Sequence, residues 1–246
     1  MTGATAFRLG LFGRGRLGGA IAETARASGI PLMWQAGREE SPTGAVDVAI
    51  DASVAGAVEG HLDWALATGT DLIIGTTGWS LPDLENRIQG SIGVLVAPNL
   101  SLSVALLARL ARVLGRFAAQ DPARDLYVLE HHHRMKADAP SGTAKSLASA
   151  LMAGCPRKTE WTLGPAAPHQ LSVGVLRAGV EFGTHTVGLD SPAEVLEFTH
   201  RARSRAPFAE GALAAAFWIR GRKGLFTLDD FARETLDPLF DFGGKP

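Results

Sequence analysis

Three observations predict an α/β chain with a parallel-sheet domain first and an α+β domain after it. Over the first hundred residues, short apolar runs alternate with longer amphipathic ones, as in a βαβ series. After Ser101 a long helical period leads into closely spaced strands, and the C-terminal stretch returns to helices.

Phe7 to Phe12 is the first strand, ended by a turn from Gly13 to Gly18. Leu17, Ile21 and Ala25 recur every four residues and so share one helical face, and Gly29 ends that helix. Pro31 to Gln35 is the second strand. Val46 to Ile50 and Leu72 to Ile74 are further strands separated by a helix from Ala55 to Ala67, and Ile92 to Val96 follows another short helix. Leu102, Leu106, Leu110, Val113 and Phe117 predict a helix of several turns leading out of the first domain. Leu126 to Leu129, Ser172 to Arg177, Thr184 to Leu189 and Val195 to Arg201 then read as strands, with Thr143 to Met152 the one convincing helix among them. Ala206 to Ile219 and Asp229 to Glu234 are the closing helices. The expected division is residues 1–101 with 206–246, and 102–205.

Composition narrows the function classes. The 246 residues are 46% hydrophobic and 20% charged, which suits a globular chain with a buried core. A formal net charge of -1 gives no broad basic field, so neither nucleic acid nor a membrane surface is an expected partner. Cys155 is the single cysteine and can form no intramolecular disulfide, pointing to a reducing compartment. The apolar stretch Leu9 to Phe12 is too short for a secretory signal and runs into Arg14 and Arg16. The uncharged run Gln89 to Ala108 contains Pro98 and Asn99 and makes a poor membrane span. A cytoplasmic location is the expectation.

Gly13, Gly15 and Gly18 spell G-x-G-x-x-G between the first strand and the first helix. There the pattern has mechanical meaning, because glycines let the backbone approach a pyrophosphate whose charge meets the free amides of the helix start. The first domain therefore reads as a Rossmann-like parallel-sheet nucleotide-binding domain. After the second strand comes Gln35-Ala36-Gly37-Arg38-Glu39-Glu40. Arg38 could clamp a 2′-phosphate, worth about 1.5 to 3 kcal/mol, which favours NADPH over NADH. In the competing reading Glu39 or Glu40 takes the ribose hydroxyls and Arg38 is a solvated charge.

The densest polar segment runs from Glu130 through His131, His132, His133, Lys136 and Asp138 to Ser141-Gly142-Thr143-Ala144, between a strand and a helix. An isolated His triplet would read as surface polarity or core hydrogen bonding. No metal is expected, because neighbouring strand residues point to opposite faces and no H-E-x-x-H spacing occurs. The surroundings favour catalysis: His titrates near neutral pH, Lys136 is a cation, and Ser141 opens a helix with free amides. Ser141 also suits an N-cap.

This segment resembles the signature E-x-H-H-x-x-K-x-D-A-P-S-G-T-A of the 4-hydroxy-tetrahydrodipicolinate reductase family. Gly75-Thr76-Thr77-Gly78, Ala97-Pro98-Asn99-Leu100-Ser101, Arg177-Ala178-Gly179, Gly183-Thr184-His185 and Ser204-Arg205 follow in family order, so the likeness spans essentially the whole chain. The resemblance implies an NAD(P)H-dependent reductase of lysine and diaminopimelate biosynthesis. It makes His132 the acid–base residue with Lys136 as catalytic partner, and His133, Lys136, Ser141, Gly142 and Thr143 the binding residues for a small dicarboxylate. It places the cofactor on Gly13, Arg14, Gly15, Arg16, Leu17 and Gly18, with Arg38, Gly75, Thr76, Thr77, Ala97, Pro98, Asn99 and Leu100 closing around it. It also implies a substrate-binding and oligomerisation role for the second domain and a homotetramer joined through its sheet, with which the alternating Leu196, Phe198 and His200 are compatible. For His132 and His133 to face one site, the strand should end near Glu130 or His131, and His131 is left a structural role.

The turn has one residue fewer than the family's G-x-x-G-R-[ML]-G, Gly37 stands where many relatives have an acid, and Leu100 replaces a common Phe. Two other readings remain: a nucleotide-sensing relative without catalysis, and an oxidoreductase for another keto or imino acid.

Overall fold

The computed structural model describes residues 7–241 and 243. The chain divides into two units, Met1–Leu102 with Arg205–Pro246, and Ser103–Ser204.

The first unit is built on six parallel strands: β1 (Leu9–Phe12), β2 (Leu32–Ala36), β3 (Val48–Asp51), β4 (Asp71–Ile74), β5 (Gly93–Val96) and β11 (Gly224–Thr227), in the spatial order β11-β5-β4-β3-β1-β2. Residues of β1, β3 and β4 are buried throughout, as expected of parallel strands covered on both faces. On one face Leu9, Leu11, Val48, Ile50 and Ile73 pack against Ile21 and Ala25 of α1 (Arg16–Ala27) and Ala209, Ala212 and Ala216 of α6 (Ala206–Ile219). On the other, Phe12, Ala49, Leu72, Ile74 and Val94 meet Leu62 and Ala65 of α2 (Val58–Thr68) and Ile88 of α3 (Leu84–Ile88). Each fully buried Leu or Ile contributes about 1.5 to 3 kcal/mol. After β1 the chain goes outward to β2 and then returns to the other side of β1 to lay down β3, so the carboxyl ends of β1 and β3 form the crevice where open α/β sheets bind ligands. β11 was not expected from the sequence: four residues with only Leu225 and Phe226 apolar, it gains its identity from pairing with β5. The last helix, α7 (Leu228–Leu236), starts with a capping box between Thr227 and Asp230.

The second unit is a mixed sheet in the order β10-β9-β6-β8-β7, formed by β6 (Asp125–His132), β7 (Glu160–Leu163), β8 (Gln170–Arg177), β9 (Thr184–Asp190) and β10 (Val195–Arg201). One face is covered by α4 (Leu102–Ala119) and α5 (Gly142–Gly154), whose Leu107, Ala111, Leu114, Leu147, Ala148 and Leu151 pack on Val128, Val173, Val187 and Leu189. The two helices meet at backbone distance: a Cβ at Gly115 would stand 2.3 Å from Leu151 O, and one at Gly154 2.3 Å from Arg112 O. β7 escaped the sequence reading because its hydrogen-bonded neighbour, β8, comes later in the chain and its four residues include just Trp161 and Leu163 as large apolar groups.

Two expectations are corrected here. β6 does not end near Glu130 or His131 but continues through His132, because His131 pairs with Thr184 and Leu176, and His132 with Arg177. Leu196, Phe198 and His200 lie opposite Leu189, Val187 and His185, on the sheet face that carries α4 and α5, where Phe198 packs on the core and Leu196 stays exposed. The other face carries Tyr127, Gly188 and Glu197 in register, and leaves Leu129, Leu176 and Val195 exposed.

Candidate active site

The first unit holds the Gly-rich turn. Gly13 has φ +109°, its amide donates to Ala36 O at 2.8 Å, and a Cβ there would stand 2.2 Å from Ala52 O. A Cβ on Gly18 would stand 2.3 Å from Gly13 O, so this glycine lets α1 close onto the turn. Gly15 differs: it is the N-cap of α1, no side chain caps the helix, no acid occupies its first turn, and a Cβ there would meet nothing within 4 Å. The opening amides of α1 have no partners inside the helix, and the positive end of the helix dipole lies at this turn.

A cleft of about 310 Å³ adjoins this turn, lined among others by Arg14, Gly15, Gly37, Arg38, Ser53 and His61. Glu40 accepts from Arg14 Nη2 at 2.6 Å and from the Gly37 amide at 2.8 Å. The Gly37 and Arg14 bonds hold its carboxyl below the usual range. Arg38 is exposed on the rim. A shortened turn with an uncapped helix start, an open Gly15 and a cleft at the switch point fits the phosphates of a dinucleotide.

Beneath the cleft Asp51 is fully buried and bonded to His61 Nδ1 at 2.7 Å, Ser53 Oγ at 2.6 Å and Thr76 Oγ1 at 2.6 Å. Burial opposes its ionisation, but the bonds from His61, Ser53 and Thr76 outweigh this, and its pKa lies below the ordinary value. Thr76 therefore spends its hydroxyl inside the protein. Ala97 and Leu100 belong to the core. These three can meet a bound molecule only through backbone, whereas Thr77 and Pro98 are exposed and Gly75 and Asn99 half-buried, beyond the ends of β4 and β5.

In the second unit the end of β6 carries the histidines. Strand alternation turns Glu130 and His132 into the interior and leaves His131 on the other side, its Nε2 3.1 Å from Ala178 O. His133 lies just past the strand, half-buried, with its amide donating to Glu181 O at 2.8 Å. Glu130 Oε1 accepts from Arg177 Nη2 at 2.7 Å and from the Ser141 amide at 3.0 Å. Burial opposes its charge, yet His185, Ser141 and Arg177 hold the carboxyl well below the usual carboxylate range. His132 is lowered to about 4, first by burial and then by the neighbouring His185; Glu130 pulls the other way, against Lys136 and Arg177. In the free protein the ring is neutral at pH 7.

Ser141 is the N-cap of α5, its Oγ accepting from the Ala144 amide at 3.1 Å and lying 3.2 Å from His185 Nε2. The opening residues of the helix, Gly142 and Thr143, are exposed and half-buried. Lys136 Nζ pairs with Asp138 Oδ1 at 2.7 Å. The structure thus gathers His132 and the start of α5 around a buried carboxylate, with Lys136 close enough to His132 to act on its titration.

The sequence reading gave no role to Glu130, Arg177 or His185, which complete this cluster. A signal for Glu130 was present: two residues before His132 on a strand, it shares that residue's face. Ligand-type atoms of Glu130, His132 and His185 lie within 4.8 Å of one another, but the carboxylate already has a counter-charge in Arg177, and we read the group as a hydrogen-bonded set.

Comparison with known proteins agrees with this layout. Residues 7–100 match the family model described as dihydrodipicolinate reductase, N-terminus, and residues 101–232 the one described as dihydrodipicolinate reductase, C-terminus. A 4-hydroxy-tetrahydrodipicolinate reductase of Gluconacetobacter diazotrophicus is 35% identical, covering 91% of this chain and 96% of the relative. Its counterpart from Zymomonas mobilis is 36% identical over 94% of this chain and 98% of the relative. Among solved structures, a dipicolinate-bound dihydrodipicolinate reductase from Paenisporosarcina sp. TG-14 has a TM-score of 0.75 at 19% identity, covering 92% of this chain and 99% of that one. An engineered D-amino acid dehydrogenase bound to NADP+ shares the fold at a TM-score of 0.51 and 14% identity, over 98% of this chain and 100% of that one. With both family regions matched in order and relatives of similar length at more than a third identity, the chain belongs to the dihydrodipicolinate reductase family, as an NAD(P)H-dependent oxidoreductase acting on 4-hydroxy-tetrahydrodipicolinate in lysine and diaminopimelate biosynthesis.

Proposed function

We propose that His132 is the acid–base residue of this reduction, with Lys136 as its partner. The supporting observation is a histidine buried at the end of β6 beside an ionised Glu130, with Lys136 close enough to act on its titration and the start of α5 in the same cluster. A bound reduced nicotinamide supplies the hydride. The electron-rich ring that results needs a proton, which His132 delivers. Lys136, His133 and the first amides of α5 at Gly142 and Thr143 hold the two carboxylates, as cations and helix starts hold anions. Ser141 supports them by capping α5 and meeting His185.

The preferred cofactor is NADPH, with NADH also accepted. Arg38 stands on the cleft rim, while Glu40 is committed to Arg14 and the Gly37 amide, which favours the 2′-phosphate reading over the ribose-hydroxyl one. We infer a homotetramer assembled through the helix-free sheet face, where Leu129, Leu176 and Val195 are exposed. Among the described residues no helix is long and apolar enough to cross a membrane. The buried, single Cys155 accords with the cytoplasm.

His132→Gln tests the reading: turnover should fall at least about a hundredfold while cofactor affinity and the circular dichroism spectrum stay near wild type. Unchanged turnover would remove His132 from the mechanism. Light scattering on a sizing column decides the tetramer.

A further inference from the structure

We propose that Glu130 is a positioning residue for His132: its Oε2 accepts a hydrogen bond from Nδ1–H of that imidazole and so fixes Nε2 as the atom that carries the proton to substrate. Oε1 of Glu130 is fully used by Arg177 and the Ser141 amide. Among the described residues Oε2 is buried and has no hydrogen-bond partner, and the same is true of His132 Nδ1. These two atoms face each other at 3.5 Å. Leaving both unmade is costly for buried atoms, and one proton on Nδ1, with a small ring rotation, satisfies both. The other neighbour of Oε2, His185 Nε2 at 3.6 Å, already has Ser141 Oγ at 3.2 Å. A Cβ at Gly183 would stand 3.0 Å from His132 Nε2, so the glycine keeps that nitrogen uncovered.

The charged groups around His132 come from every side: Glu130 on its own strand, Arg177 on β8, His185 on β9 and Lys136 on the following loop. Glu130 is the one that favours the imidazolium. Removing its charge must therefore lower the pH at which His132 gives up its proton.

This inference rests on the reading of His132 as proton donor for its kinetic arm only. The structural arm is a long-range proton–nitrogen NMR spectrum of the ¹⁵N-labelled wild-type protein, free of ligand and slightly above neutral pH. We expect His132 as the Nδ1–H tautomer; a bare Nδ1 overturns the proposal without any variant having to fold. In the kinetic arm, Glu130→Gln should lower kcat at least about tenfold with KM for the dicarboxylate within about threefold, and move the descending limb of the kcat–pH profile toward acid by about one pH unit. An unmoved limb, or a change confined to KM, overturns the positioning role. If His132→Gln keeps full turnover, it is the reading of His132 that fails, while the tautomer still decides whether the pair exists.

Discussion

The hydroxyl of Thr76 donates to Asp51 Oδ1 at 2.6 Å and accepts from the Ser53 amide at 2.9 Å, so one buried carboxylate ties the end of β3 to the end of β4 under the cofactor cleft. Asp51→Ala leaves Thr76, the Ser53 hydroxyl and His61 without their acceptor, each such loss costing about 1 to 3 kcal/mol unless water replaces it. Urea unfolding should show the variant destabilised by about 3 kcal/mol, with Asp51→Asn losing less. Wild-type stability in both would refute the tie.

Arg38→Ala should cost NADPH about tenfold to a hundredfold in affinity and leave NADH unchanged, since only the 2′-phosphate loses a charge-assisted bond. Fluorescence titration with each cofactor measures this, and equal weakening of the two would reject the assignment of Arg38.

Gly15→Ala and Gly18→Ala should part company. The first adds a methyl into open cleft, so stability should change by less than about 1 kcal/mol while cofactor binding weakens. The second meets Gly13 O at 2.3 Å and should destabilise the fold by about 1 to 3 kcal/mol. Thermal melts with and without cofactor separate the two, and equal melts for both variants would contradict the geometry.

A dicarboxylate brought to His132 adds negative charge beside a ring held neutral down to about 4, so its pKa rises and a proton is taken up on binding. Calorimetric enthalpies near pH 6.5 should differ between buffers of unlike ionisation heat, and identical enthalpies would deny the uptake. The same burial acts on stability with the opposite face: below its ordinary value of 6.5 the unfolded chain takes a proton that the folded chain refuses until about 4. Stability therefore falls as pH falls across that window.

Much of this architecture is written in local pattern. The parallel strands of the first unit are continuous apolar runs such as Leu72 to Ile74, and α4 carries its period openly. What escaped depends on partners far along the chain. β7 and β11 are strands because β8 and β5 supply their ladders. The polar end of β6 stays a strand because β8 and β9 hydrogen-bond it from both sides, a support that hydrophobic periodicity does not register. The site divides likewise: His132 and Lys136 lie in one contiguous motif, whereas Arg177 and His185 arrive from β8 and β9, far along the chain. Thr76 and Leu100 were placed at the cofactor by motif, but a motif does not tell a side chain facing a ligand from one holding up the loop.

The contact between Gly115 and Gly154 makes α5 a lever. Its 13 residues at about 1.5 Å each put the helix start near Gly142 about 18 Å from this fulcrum. A wedge as small as one methyl at Gly154 would tilt the helix and swing its far end, and with it the cap at Ser141 and the amide that holds Glu130. A substitution at this spot, which has no chemistry of its own, therefore reaches the site through the helix it displaces.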